Sequence, residues 1–189
     1  PMRATGGLAD GNTYIGDPNL DAETAYQLNL GMEMLGDNAK WQLSPQVFYQ
    51  QVDDYIQALP SQNMQANMVA NMMTGKPPMQ FSNVDATLYG FDALGFYALT
   101  DALVLEGQLS VVRGERTDID DDLYRISADT LRLSLRYQYD NWQWQVVETL
   151  VAAQDNVSMT NNESPTSGYA TTDFLGVYGW QAVTIKFGI

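Results

Sequence analysis

The sequence predicts an all-β protein, an antiparallel transmembrane β-barrel meander with about eight strands in view. Three observations predict it. Apolar and polar residues alternate over many long segments; the connections alternate between short and long; and aromatic residues gather where strands meet the short turns.

The alternation has period two. From Tyr26 one parity reads Tyr26, Leu28, Leu30, Met32, Met34 and the other reads Gln27, Asn29, Gly31, Glu33. The same split returns at Leu131, Leu133, Leu135, Tyr137, Tyr139 against Arg132, Ser134, Arg136, Gln138, Asp140. It returns again at Val183, Ile185, Phe187, Ile189 against Thr184, Lys186, Gly188. A strand separates these residues onto two faces, whereas a helix would mix them.

In chain order the segments are about 23–35, 40–53, 80–99, 103–114, 130–139, 142–154, 168–178 and 182–189. The short connections are Gly36-Asp37-Asn38, Thr100-Asp101, Asp140-Asn141 and a tight turn near Gly179 to Gln181. The long ones are about 54–79, 115–129 and 155–167, with 1–21 leading in. Turns on one side and loops on the other fit an outer-membrane barrel, whose strands cross when about ten residues long and tilted. Trp41, Tyr97, Tyr137, Tyr139, Trp142, Trp144, Tyr178 and Trp180 then form an interfacial girdle at the short-turn side. Two places disagree: Leu94 and Phe96 fall on the wet parity, and Glu148 falls on the lipid parity. A bulge or register shift at those points is the expected remedy.

Composition narrows the function. The chain of 189 residues carries 9 Lys+Arg and 23 Asp+Glu, a net charge of −14, which argues against nucleic-acid binding. It holds no Cys and no His, so disulfides, thiolate metal sites and the commonest general base are excluded. Only a bare carboxylate pair or a Ser–Lys pair would remain for catalysis, and the chain is read as no enzyme. No run approaches 18 apolar residues, which rules out a transmembrane helix. The start, Pro1-Met2-Arg3-Ala4-Thr5-Gly6-Gly7, lacks a signal-peptide core and reads as a cut end.

Several strings resemble those of TonB-dependent outer-membrane receptors. Gly16-Asp17-Pro18-Asn19-Leu20-Asp21-Ala22-Glu23-Thr24 resembles their N-P-x-L-K-P-E, departing at Asp17, Asp21 and Ala22. Phe48-Tyr49 with Val52-Asp53-Asp54-Tyr55-Ile56 resembles F-Y-x-x-I-D-D-Y-I. Asn83 to Ala93 resembles N-x-x-A-x-x-Y-G-x-E-A, with Asp92 for the Glu. Val112-Arg113-Gly114-Glu115, Leu133 to Tyr137, Val151 to Asp155 and Gly168-Tyr169 with Asp173 follow in order, and Val183 to Ile189 resembles the strand before N-L-F-D-K.

The resemblance covers 1–189 and implies a plugged barrel of about 22 strands, of which this chain holds about eight. The plug domain and the final strand are expected to lie outside the chain. The implied function is capture and uptake of a scarce ligand, most often a ferric siderophore or another metal chelate. It is powered by the TonB–ExbB–ExbD complex acting through the plug, in the outer membrane of a Gram-negative bacterium, among lipid and lipopolysaccharide. No resident cofactor is implied. The alternatives are a complete eight-stranded outer-membrane barrel with a structural or adhesive role, and a soluble carbohydrate-binding sandwich. The second leaves the short and long connections without a cause.

By this topology the long loops face outward and carry the candidate ligand contacts. Met64, Met68 and Met72 are spaced i, i+4, i+8, so a short helix would align thioethers suited to Cu(I). The plain alternative is a lid helix packing an apolar stripe. Asp118, Asp120 and Asp122 stand at positions one, three and five of a calcium loop, with Asp129 at twelve. Leu123 occupies position six, where that loop needs Gly, so a solvated acidic loop is the plain reading, with divalent bridging to lipopolysaccharide between the two. Arg113, Arg116 and Arg125 would pair with these acids or meet an anionic iron chelate.

Overall fold

Alternation of this kind commits the backbone to sheet, because only pairing satisfies the N–H and C=O groups of an extended chain. The computed structural model describes residues 12–75 and 77–189. The elements are β1 (Tyr14–Ile15), β2 (Thr24–Gly31), β3 (Met34–Leu35), β4 (Trp41–Pro60), helix α1 (Met64–Thr74), β5 (Met79–Ala98), β6 (Leu103–Arg116) and β7 (Asp121–Asp122). They continue with β8 (Thr130–Tyr139), β9 (Trp142–Val151), β10 (Tyr169–Trp180) and β11 (Val183–Gly188).

One sheet holds all the strands, in the order β11-β10-β9-β8-β6-β5-β4-β2, each antiparallel to the next. The eight strands on this path are the eight expected. The path is open: β2 and β11 lie at opposite ends and do not pair with each other. The lead-in contributes β1, which adds parallel to β5 through Tyr14↔Met79. The cut-end reading of Pro1 to Gly7 falls outside the described residues.

Pairing register sorts the side chains into two faces. One row runs Trp41, Tyr97, Leu105, Leu135, Val146, Phe174. Its neighbour on the other face runs Glu106, Ser134, Val147, Asp173. The apolar face stays open to its surroundings, with Leu28 and Leu30 each 70% exposed. A water-soluble domain would cover such a face. At the short-turn end Trp142 and Trp144 stack at 5.2 Å, Trp142 meets Tyr178 at 4.4 Å, and Tyr137 stacks on Tyr139 at 6.5 Å.

Two sequence expectations need correction. The ladders through Leu94, Phe96 and Glu148 are unbroken, so no bulge relieves them. Leu94 pairs with Gln108 and Phe96 with Glu106 on the polar face. Glu148 stands on the apolar face beside Leu133, where it accepts a 2.5 Å hydrogen bond from Thr172 Oγ1. The register shift lies instead between Val52 and Tyr55 in β4, with Asp54 at φ 59. Alternation breaks there, which is why the sequence ends that strand at 53. In fact β4 runs to Pro60 and β5 begins at Met79, so the connection shrinks to 61–78.

The bulge explains residues in two of the family-like strings. Asn83 Nδ2 donates to Asp54 O at 2.6 Å and to Asp21 O at 3.1 Å, while Asn83 Oδ1 accepts from Asp21 N. Glu23 Oε1 accepts from Ile56 N at 2.7 Å. A bulge frees ladder groups, and these side chains satisfy them.

Burial concentrates at the long-loop end. Leu123 folds onto Val52, Val84 and Ala86, flanked by Tyr55, Leu59, Leu88 and Ile126. Beside it Tyr14, Ala58 and Met79 pack with Phe81 and Tyr124.

Candidate functional site at the long-loop end

The loops 117–129 and 152–168 are built around backbone donors that one carboxylate collects. Asp121 accepts from Met159 N at 2.7 Å, Thr160 N at 3.1 Å and Ser158 Oγ at 3.1 Å. Burial pushes its carboxyl up, but these hydrogen bonds from Thr160, Met159 and Ser158 outweigh that and leave it below 3.8. Glu163 closes the second half of the clamp by accepting from Arg125 N at 3.2 Å and Ser158 N at 3.0 Å. Gln154 Nε2 reaches Ile126 O, and Asn161 Nδ2 reaches Ala58 O. The two loops are thus fastened to each other and down onto β4. Tyr124 N donates to Gln57, whose side chain is buried.

Arg113 makes a two-pronged pair with Asp129, at 2.5 and 2.9 Å, and Nη1 also donates to Val112 O. Arg116 makes a similar pair with Asp118, at 3.0 and 2.5 Å. The arginines hold both carboxyls below 3.8 against the opposing effect of burial. Arg125 sits at φ 65 with its guanidinium 4.9 Å from the Tyr124 ring centre. The arginines are therefore spread over three separate partners.

Asp118, Asp120 and Asp122 also diverge. Asp118 faces Arg116, Asp120 is exposed, and Asp122 pairs with Glu115 in the β6–β7 ladder. Burial raises the Asp122 carboxyl, helped by Glu115, Asp121 and Glu163. Leu123, at the sixth position of the would-be calcium loop, is wholly buried in the core. Among the described residues no three His, Cys, Asp or Glu side chains gather to hold a metal ion.

The methionines lie on α1. Asn63 caps the helix, accepting from Gln65 N and Ala66 N at 3.1 Å each, and Gly75 ends it at φ 71. Met64, Met68 and Met72 line up as the spacing predicts, and all three are exposed. The side chain of Met73 is outside the described set. Residues that sequence reasoning missed are Glu163, Gln154 and Asn161, whose partners Arg125, Ile126 and Ala58 lie 38, 28 and 103 residues away. A cleft of about 400 Å³ opens beside them, between Leu59, Gln62, Gln80, Ser82, Thr160 and Asn162.

The family model "TonB dependent receptor-like, beta-barrel" matches residues 1–189. No curated protein gives a significant match. Among solved structures the chain resembles the copper transporter OprC at 21% identity, over 90% of this chain and 26% of that one, with TM-score 0.77. It resembles the siderophore receptor PirA from Pseudomonas aeruginosa at 20% identity, over 94% and 28%, with TM-score 0.65. It resembles a ferric enterobactin receptor mutant from the same organism, solved with enterobactin, at 20% identity, over 94% and 28%, with TM-score 0.68. These likenesses show the fold, and the chain spans only about a quarter of each of those proteins. The open antiparallel meander and the family match over its whole length agree: the chain belongs to the TonB-dependent receptor family, as β-barrel wall.

Proposed function

We propose that this chain forms part of a longer outer-membrane receptor that takes up a scarce metal ligand, a ferric siderophore or another metal chelate. The plug and final strand would lie outside these residues. Uptake would be driven by the TonB–ExbB–ExbD complex through that plug, in a Gram-negative outer membrane with lipid and lipopolysaccharide around the wall.

One observation carries the reading. The sheet has one open apolar face and one polar face, and outward loops are clamped over a single end of it. A wall between lipid and an aqueous lumen needs those two faces. The similar solved proteins named for metal ions or siderophores support the cargo class. An eight-stranded closed barrel is not favoured, because β2 and β11 end an open path. At the loops, Arg113 and Arg116 already hold Asp129 and Asp118, so an anionic chelate would have to exchange with those carboxylates.

The test is transport by the whole receptor. Cells with and without its gene are given radiolabelled ferric siderophores and radiolabelled copper, with the TonB complex intact or disabled. Accumulation of one metal should require both the gene and the TonB complex. Equal accumulation of every metal in all four strains would overturn the reading.

A further inference from the structure

The apolar face of the sheet has a gap in it that pairing register alone defines. Leu43, Gly95, Gly107 and Leu133 stand abreast on β4, β5, β6 and β8, so two glycines sit side by side within that face. Trp41, Tyr97 and Leu105 stand one step toward the short turns, and Ala93, Leu109 and Leu131 one step away from them. The result is a trough of about 430 Å³ with a backbone floor and apolar walls. The rest of a closed barrel lies elsewhere. Further strands would add at the edges, β2 and β11, and a plug would lie on the polar face, whereas the trough spans strands between those edges. Packing within the chain accounts for only one of the glycines. A Cβ at Gly95 would come 2.7 Å from Gln42 O, but one at Gly107 would meet only Leu133 Cδ2, at 3.5 Å. Glycine weakens a strand, and where no neighbour in the chain forbids a side chain it marks the close approach of something else.

We propose that the trough is a binding site for one acyl chain of a phospholipid from the leaflet at the short-turn end, whose phosphate meets Lys40. The trough is continuous with the face that a barrel wall sets against the bilayer. Gly95 and Gly107 flank the Thr100-Asp101 turn at a depth of about 12–15 Å, given strand rise and barrel tilt, which is within the hydrocarbon of that leaflet. Trp41 and Tyr97 stand between the trough and the turns, at the level where aromatic rings meet headgroups. Lys40 immediately precedes Trp41 and is the only Lys or Arg in the four short connections, which otherwise carry Asp37, Asp101 and Asp140. A single cation among acids favours a lipid phosphate at that point of the rim. An acyl chain lying on the two glycines recovers the dispersion contacts that their missing side chains leave unmade.

The site rests on the outer-membrane placement in the reading above and not on the cargo. Absence of metal uptake would leave the lipid count untouched, so the two fail separately. The whole receptor is reconstituted in phosphatidylethanolamine bilayers, returned to mild detergent and weighed by native mass spectrometry. One phosphatidylethanolamine should survive activation that strips the rest. Gly107→Leu fills the trough where a side chain has room, and should cut the lipid-bearing fraction by about ten-fold. Lys40→Gln should cut it by about five-fold, and Lys40→Arg should restore it. Ala170→Leu, on the same face in β10, should change nothing.

A second measurement needs no variant. Phosphatidylethanolamine carrying a diazirine on one acyl chain is photolysed in the bilayer with the receptor, and the cross-linked peptides are read by mass spectrometry. Residues 93–109 should carry several-fold more label than residues 169–180. Even labelling of the two segments would overturn the site, and so would a lipid-bearing fraction unchanged by Gly107→Leu. Small residues also let two membrane proteins approach closely. A receptor dimer mass that Gly107→Leu abolishes would therefore overturn the lipid site by assigning the trough to a second copy.

Discussion

Asn83 shows what a single residue does in this wall. It bonds Asp54 O across the bulge and both backbone groups of Asp21, fixing the lead-in against β5. Asn83→Ala leaves those groups to water or to nothing and should destabilise the folded receptor by about 1–2 kcal/mol. Thermal loss of the compact, heat-modifiable band in detergent would measure it. Two glycines make a sharper contrast. A Cβ at Gly90 would come 2.3 Å from Val111 O and 2.5 Å from Phe48 Cε1, whereas one at Gly107 meets nothing nearer than Leu133 Cδ2 at 3.5 Å. Gly90→Ala should therefore cost about 1–3 kcal/mol by overpacking. Gly107→Ala should be neutral or gain about 0.5–1 kcal/mol, since glycine weakens a strand. Equal effects at both sites would contradict the packing described. The sequence marks Asn83 and Gly90 through family-like strings, but their work depends on a bulge and on an aromatic ring in the neighbouring strand.

At the scale of elements, the clamp between loops 117–129 and 152–168 is the device to test. Asp121→Ala should speed amide exchange at Met159 and Thr160 by about ten-fold, equivalent to about 1.4 kcal/mol of lost local protection. The pH dependence has a defined sign. Asp118, Asp121 and Asp129 have folded carboxyls held below 3.8, so their contribution is complete above that value and is lost as pH falls through the lower folded ones. Asp122 is shifted upward and works the other way, opposing the folded loops at neutral pH and relaxing on acidification. Loop proteolysis should therefore rise below about pH 4 and stay flat from 5 to 8. The strands were legible from alternation because their partners are set by parity. The clamp was not legible, since Asp121 in sequence is one acid in a run and its three donors lie 37 to 39 residues on. The helix carrying the methionines was legible in spacing alone; which face it buries required the fold.

Across the whole molecule, the sheet is a wall with two open edges, β2 and β11. Unpaired edges recruit other strands. The 189 residues made alone should aggregate or oligomerise, and a sharp monomer band shifting on boiling would contradict this. The most direct measurement concerns the two faces themselves. Because the chain has no cysteine, single cysteines placed along β8 can each carry one spin label in the membrane-embedded receptor. Collision with lipid-dissolved oxygen is predicted to peak at 131, 133, 135 and 137 and to fall at 132, 134 and 136. A flat profile, or peaks at Arg132, Ser134 and Arg136, would contradict a wall with lipid on its leucine face.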